Sequence, residues 1–273
     1  MGSVIEEILS REKINCNSAA HYRNYVILFW SPSDIRGIRM ASYFSKRKGE
    51  FHDKGLGIIG IVVPETKPEK DMGYLYQILS RYEIDICCVV DNDLYLWAYF
   101  NNQFLPNLIL MDDDDNMLEE SSGADNISSV EEKISGISGI GDISLGESWN
   151  VHFVDLKYSL EPGDLKGNLA LKTDVYPDVP GSVTISGNWI LGDDGFPVCG
   201  GDCVISVSGK FREIFLALET CKKDRLIYGS GGWSREQEIE GFNLVNLYAD
   251  KNPGLKTVEI KIGNGIRIYS IQF

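Results

Sequence analysis

The sequence predicts an α/β domain followed by an all-β antiparallel sandwich, and three observations carry that expectation. In the first half, short continuous apolar runs alternate with helical patterns, as expected for a central sheet covered on both faces. After Gly181 the pattern becomes period two, with turn residues between short runs and no helical signal. Between them lies a stretch of Gly, Ser, Asp and Pro with no sustained period. A length of 273 residues lets each domain bury its own core.

Taken in order, residues 25–30 (YVILFW) read as a buried strand and residues 34–47 as a helix. A second buried strand, 57–63 (GIIGIVV), precedes a helix near 68–82. A third, 86–90 (ICCVV), precedes a short helix at 94–100. Residues 107–111 and 117–120 flank a turn of four aspartates, and 128–134 form the last helix of the domain. This places the α/β domain at 1–140. Residues 136–150 read as a linker and 151–180 as an irregular lead-in that contributes at most an edge strand, so 141–180 separates the domains. The sandwich occupies 181–273, with strands at 203–207, 214–218, 244–248 and 256–262. Asn264-Gly265 offers a type I′ turn, returning the chain through 266–273 as a hairpin.

Composition narrows the function. A net charge of −14 opposes a phosphate backbone, so nucleic acid is not an expected partner. The N-terminus lacks a basic region followed by an apolar core, and no window of about 20 apolar residues could cross a bilayer. Glu6 stands where a myristoylation signal needs Ser or Thr. These features predict a cytoplasmic chain whose six cysteines are mostly reduced, with no membrane partner. Three histidines and no paired CxxC motifs leave no metal site, and no cofactor is expected.

The chemistry of the first domain is expected where the first strand meets its helix, at FWSPSDIRG (29–37). A strand ending in an aromatic pair, a short loop and a helix is similar to the way thioredoxin-like proteins present their redox CxxC. LGIIGIVVPE (56–65) resembles the next strand of the membrane-bound thiol reductases and the redoxins. VVDNDLYLWAYFNNQFLP (89–106) resembles their later stretch, in which a tryptophan helix leads to a proline, here Pro106. The resemblance implies that Pro106 is cis and faces the start of the helix. SGNWILGDDG and the closing segment from Leu244 onward resemble the C-terminal module of DipZ-type thioredoxin-like proteins, which implies a carbohydrate-binding-module-like (jelly-roll) sandwich.

The chain departs from that family at the reacting atoms. Asp34 stands in place of the nucleophilic cysteine and Gly37 in place of the resolving one, within a loop that keeps Trp30 and Ser33. A thiolate at a helix N-terminus attacks a disulfide and a second thiol releases the mixed species. A carboxylate suits the same dipole but exchanges no disulfide. Ser33 or Asp34 is therefore expected simply to cap the helix.

Cys87 and Cys88, inside an apolar strand, read as buried structural thiols with side chains on opposite faces. Cys199 and Cys203 bracket Gly200-Gly201-Asp202 and are either two separate thiols or a reducible bridge; they are the candidate redox thiols. Cys16 and Cys221 have no evident partner. Asp112, Asp113, Asp114 and Asp115 lack calcium-loop spacing and read as a solvated hairpin turn. Trp189, Tyr228, Trp233, Tyr248 and Tyr269 are either core or sugar-stacking rings, with Trp233, in GSGGWSREQE, the best candidate for exposure.

Two functions remain open. One is a non-catalytic binding protein, taking an extended peptide or client protein beside Pro106 and a carbohydrate on the sandwich. The other is a thiol-dependent oxidoreductase or peroxidase using a displaced cysteine, which needs one accessible, low-pKa thiol.

Overall fold

A computed structural model describes residues 3–16, 21–123, 126–146, 153–155, 169–171 and 181–273, and of 153–155, 169–171, 181 and 251–254 it describes the backbone alone. The chain forms two compact units, Met1–Asn150 and Val151–Phe273.

The first unit is built on a six-stranded sheet in the order β1-β4-β3-β2-β5-β6. Its middle strands β2 (Asn24–Trp30), β3 (Leu56–Val62) and β4 (Cys87–Val90) are parallel. All seven residues of β3 and the last six of β2 are buried, which a strand covered on both faces requires. Antiparallel β5 (Asn107–Asp112) and β6 (Met117–Ser122) extend the sheet beyond β2. The aspartates between them form the exposed turn of that hairpin, where Asp112 accepts hydrogen bonds from the backbone of Asp114 and Asn116. Helix α2 (Ile35–Asp53) begins at Asp34 and buries Ile38, Ala41, Phe44 and Phe51. A 3-10 turn (Lys67–Lys70) and α3 (Met72–Arg81) follow β3; α4 (Tyr95–Tyr99) and α5 (Ile127–Ser138) complete the unit.

Two elements carry no strong sequence signal. Helix α1 (Val4–Ser10) has a capping box between Ser3 and Glu6 and drives Ile5 and Ile8 into a cluster with Ile27, Phe29, Ile59 and Val89. Strand β1 (Lys13–Ile14) then pairs antiparallel with β4 at the sheet edge.

The linker expectation for 136–150 is corrected in its first part. Helix α5 runs to Ser138, Leu145 is fully buried, and Glu131 accepts from the backbone amides of Leu145 and Gly146. Arg47 donates to the carbonyls of Gly141 and Asp142. These residues finish the first unit.

The second unit is a largely antiparallel sheet dominated by one bent hairpin. Strands β10 (Pro197–Ser230) and β11 (Trp233–Ile262) pair along their length through bulges. The expected short strands at 203–207, 214–218, 244–248 and 256–262 are segments of these two. Ile227, Tyr228 and Gly229 pair both with 234–236 and with 259–261, so the hairpin curls onto itself and encloses an apolar core that includes Val207, Leu216, Leu226, Val258 and Ile268. Strand β9 (Gly181–Leu191) pairs with β10, and β8 (Leu169–Leu171) with β9. The expected 256–273 hairpin is corrected as well. Strand β12 (Arg267–Gln272) runs parallel to β10 and antiparallel to β7 (Phe153–Asp155). Of Asn264 and Gly265 only the glycine has positive φ (85°), whereas a type I′ turn needs it at both. The lead-in thus supplies two strands, β7 and β8; the rest of 147–180 lies outside the described residues.

Candidate functional site

The loop after β2 sits at the carboxyl end of the parallel strands. Asp34 is fully buried and caps α2, its Oδ1 accepting from the Arg36 amide at 2.9 Å. Arg36 closes on the same carboxylate, with Nε 2.9 Å from Oδ1 and Nη2 2.7 Å from Oδ2. Of the two expected caps, Ser33 and Asp34, it is Asp34 that bonds the first turn. The Arg36 Nη2 also donates to the carbonyl of Leu105, 3.3 Å away. The Leu105–Pro106 bond is cis. A Cβ placed on Gly37 would lie 3.6 Å from Pro106 Cγ, so the cis proline does face the start of α2. The same Cβ would stand 2.7 Å from Trp30 Cβ, a rigid atom, so glycine is what lets the helix pass so close to the strand end.

Beneath the loop lies Glu69, which sequence reasoning missed. It is buried and accepts four hydrogen bonds: from Ser31 Oγ (2.7 Å), Ser33 Oγ (2.6 Å), Thr66 Oγ1 (2.7 Å) and the Glu65 amide (3.2 Å). These donors are neutral, and burial pushes the Glu69 carboxyl above its ordinary value despite them. Tyr74 donates to the Pro32 carbonyl at 2.9 Å and is itself pushed up by burial. The loop is thus held in shape by hydroxyls and carboxylates with no sulfur in it. No signal in PETKPEK identifies Glu69, because its partners lie at 31, 33, 65 and 66.

Pro106 itself is buried, and several apolar side chains of this unit are exposed. Phe104 is 60 % exposed, and Tyr95, Tyr99 and Leu94 on and before α4 are exposed as well. The Asp91 carboxylate, fully buried, caps α4 through the amides of Leu96 and Trp97.

The cysteines differ from expectation. Cys16, expected to be unpaired, is disulfide-bonded to Cys87, with Cα atoms 4.3 Å apart. The β1–β4 register places Ile14 opposite Cys88 and so carries Cys16 to the start of β4. Both bonded cysteines are half-buried, so Cys87 is not a buried free thiol. Cys88 is one, and burial pushes its thiol up to about 12. Cys199 and Cys203 are bonded to each other, both buried, across a bulge that Gly187 (φ +105°) accommodates; a Cβ there would lie 2.2 Å from the Asp202 carbonyl oxygen. Cys221 is free and exposed. With two disulfides, the expectation of mostly reduced thiols is corrected.

Three of the candidate ligand rings prove to be core. Trp189 is 4 % exposed and its Nε1 donates to the Ser186 carbonyl; Tyr228 is 6 % exposed and Tyr269 is buried too. Trp233 is 39 % exposed and stacks on Tyr248 with ring centroids 5.8 Å apart. Among the described residues no cluster has the make-up of a metal site, and no helix is long and apolar enough to cross a membrane.

No family model and no curated protein matches the sequence. Among solved structures, a thioredoxin-like protein in its oxidized form is 17 % identical with a TM-score of 0.41, over 46 % of this chain and 88 % of that one. A thioredoxin-like superfamily protein is 17 % identical with a TM-score of 0.40, over 48 % and 94 %. A secreted disulfide oxidoreductase of Mycobacterium tuberculosis is 18 % identical with a TM-score of 0.36, over 44 % and 84 %. The strand order and the parallel β2–β3–β4 trio point the same way as the cis proline opposite the start of α2: the N-terminal half has a thioredoxin-like fold.

Proposed function

We propose that the N-terminal unit is a non-catalytic docking module that takes an extended polypeptide along the loop after β2 and the loop before Pro106. The observation that carries this reading is the Asp34–Arg36 pair. It fills the helix N-terminus where disulfide exchange needs a thiolate, and through Leu105 it ties that terminus to the cis-proline loop. What the site offers instead is exposed rings, Phe104 foremost, for side-chain contacts. The buried Glu69 network supports the loop in one conformation, which lowers the ordering cost of binding.

Selection of a displayed library of 12-residue peptides against the full chain tests the reading. Peptides should be enriched, and their binding should weaken by about tenfold or more with Phe104→Ala, as for a ring at the centre of a contact. Failure to enrich any peptide, or binding indifferent to both Phe104→Ala and Tyr99→Ala, contradicts it.

One observation favours a second ligand, on the C-terminal unit, which we infer is a carbohydrate-binding-module-like sandwich. Trp233 stacks on Tyr248 at an interplanar angle of 23°, with Arg235 over the Trp233 ring and Lys256 over the Tyr248 ring. An exposed ring stiffened from beneath is a suitable platform for a sugar face. Binding to a glycan panel that disappears with Trp233→Ala supports this role. A panel with no binder removes it.

A further inference from the structure

We propose that the Cys16–Cys87 disulfide is a thiol–disulfide exchange site for an external dithiol, and that it latches the edge strand β1 over β4. The inference stands apart from the docking role given to the loop after β2.

The argument starts from how little else holds β1. The strand has two residues, and its ladder to β4 consists of Lys13 opposite Val89 and Ile14 opposite Cys88. Two further bonds run between the segments, from the Val90 amide to the Glu12 carbonyl, 2.8 Å away, and from Asn15 Nδ2 to the Ile84 carbonyl, 3.4 Å away. Before it, Arg11 pairs with Asp93 and lies 4.8 Å over the Tyr95 ring, while α1 is anchored separately by Ile5 and Ile8. Past the ladder, the disulfide is the covalent tie between this segment and β4. A two-residue edge ladder is marginal alone, so the crosslink decides whether the β4 edge is covered or open.

The two disulfides of the chain differ in access. Cys16 and Cys87 are half-buried at a sheet edge, whereas Cys199 and Cys203 are each 1 % exposed inside the core of the second unit. Exchange requires a thiolate to reach a sulfur, so access separates them. Cys88, adjacent in sequence, is a poor internal attacker: it is fully buried and its thiol is pushed up to about 12.

The chemistry balances as follows. A thiolate of the dithiol attacks one sulfur of the pair; a new S–S bond forms and the Cys16–Cys87 bond breaks. The departing cysteine thiolate takes up a proton. The second thiol of the reagent, losing its proton, then displaces the remaining protein sulfur and leaves as the reagent's own disulfide. The protein gains two electrons and two protons, and the dithiol is oxidised by the same amount.

Dithiothreitol treatment of the folded full chain, followed by alkylation and peptide mapping, reads the exchange. Cys16 and Cys87 should become alkylated while Cys88 does not and Cys199–Cys203 stays bonded. Hydrogen exchange under the same conditions should speed up at the Val90 amide by about tenfold or more beyond any rise in β2 and β3, as for a local opening. Cys16→Ser without reductant should reproduce that rise. Three results overturn the proposal: a Cys16–Cys87 bond that survives while Cys199–Cys203 is reduced, both cysteines alkylated before any reductant is added, or reduction that leaves Val90 exchange unchanged.

Discussion

The two ends of the first sheet handle the same chemical problem in opposite ways. At the carboxyl end of β2, Asp34, Arg36 and Glu69 arrange a loop by carboxylates and hydroxyls. At the amino end of β4, two sulfurs from positions 71 residues apart are joined across the sheet edge. The first position has a helix N-terminus to stabilise a thiolate and no sulfur; the second has two bonded sulfurs away from a helix N-terminus. Each place has only half of what a dithiol catalyst needs. A thioredoxin-like scaffold does not by itself confer an activity; what a loop can do depends on the groups it carries, here carboxylates and hydroxyls at one place and a disulfide at the other.

The largest effect is expected at the sulfur end. Cys16→Ser should lower stability by about 2–5 kcal/mol, since it releases a long covalent loop, measured by urea unfolding of the oxidised chain. A loss near zero would mean that the β1 segment is held well without the bond, and the contrast between the two ends would weaken.

At the loop end, Gly37→Ala should cost about 1–3 kcal/mol, because the new methyl meets Trp30 Cβ, which cannot swing away. The same contact predicts that restoring both cysteines, Asp34→Cys with Gly37→Cys, gives a less stable chain than Asp34→Cys alone. A stable double variant that forms the new disulfide would show that the loop tolerates a redox cysteine pair, and that the geometry is not what excludes it.

Glu69 gives a smaller effect with a definite sign. Burial raises its carboxyl above the ordinary 4.5, so the folded chain holds the proton more tightly than the unfolded chain. The stability this contributes is fully present below about 4.5 and is lost as pH rises through the raised folded value. Glu69→Gln cannot ionise and should remove that part of the decline, which unfolding curves of both proteins at pH 4 and pH 7 would reveal. An identical pH dependence would show that Glu69 does not titrate differently in the two states.

The smallest effect on stability belongs to Phe104→Ala, within about 0.5 kcal/mol, because the ring is 60 % exposed. Loss of peptide binding without loss of fold sharpens the comparison; a large destabilisation would make Phe104 a structural residue.

Much of this was legible from particular residues. The runs YVILFW and GIIGIVV declare strands buried on both faces, Asp34 caps the helix as its local chemistry suggests, and Pro106 is cis as the resemblance implies. The arm before β2 was not legible, because a seven-residue helix with two buried side chains takes its stability from packing. Neither was the Cys16–Cys87 bond, which depends on the β1–β4 register across 71 residues. In the second unit, alternation located strand segments correctly but gave no means of seeing that bulges join them into strands of 34 and 30 residues. Trp189 and Tyr228 read as core or platform, with core the commoner place for a sandwich ring, since alternation does not say which face of a curled sheet is inward.

The most direct measurement is insulin-disulfide reduction in the presence of dithiothreitol, using the full chain and its Cys16→Ser variant. Both should match the rate of dithiothreitol alone, because the loop that faces Pro106 has Asp34 and Gly37 where exchange needs two thiols. A rate above that background which persists in Cys16→Ser would contradict the account, placing a working thiol elsewhere in the chain and making this a catalyst rather than a docking module.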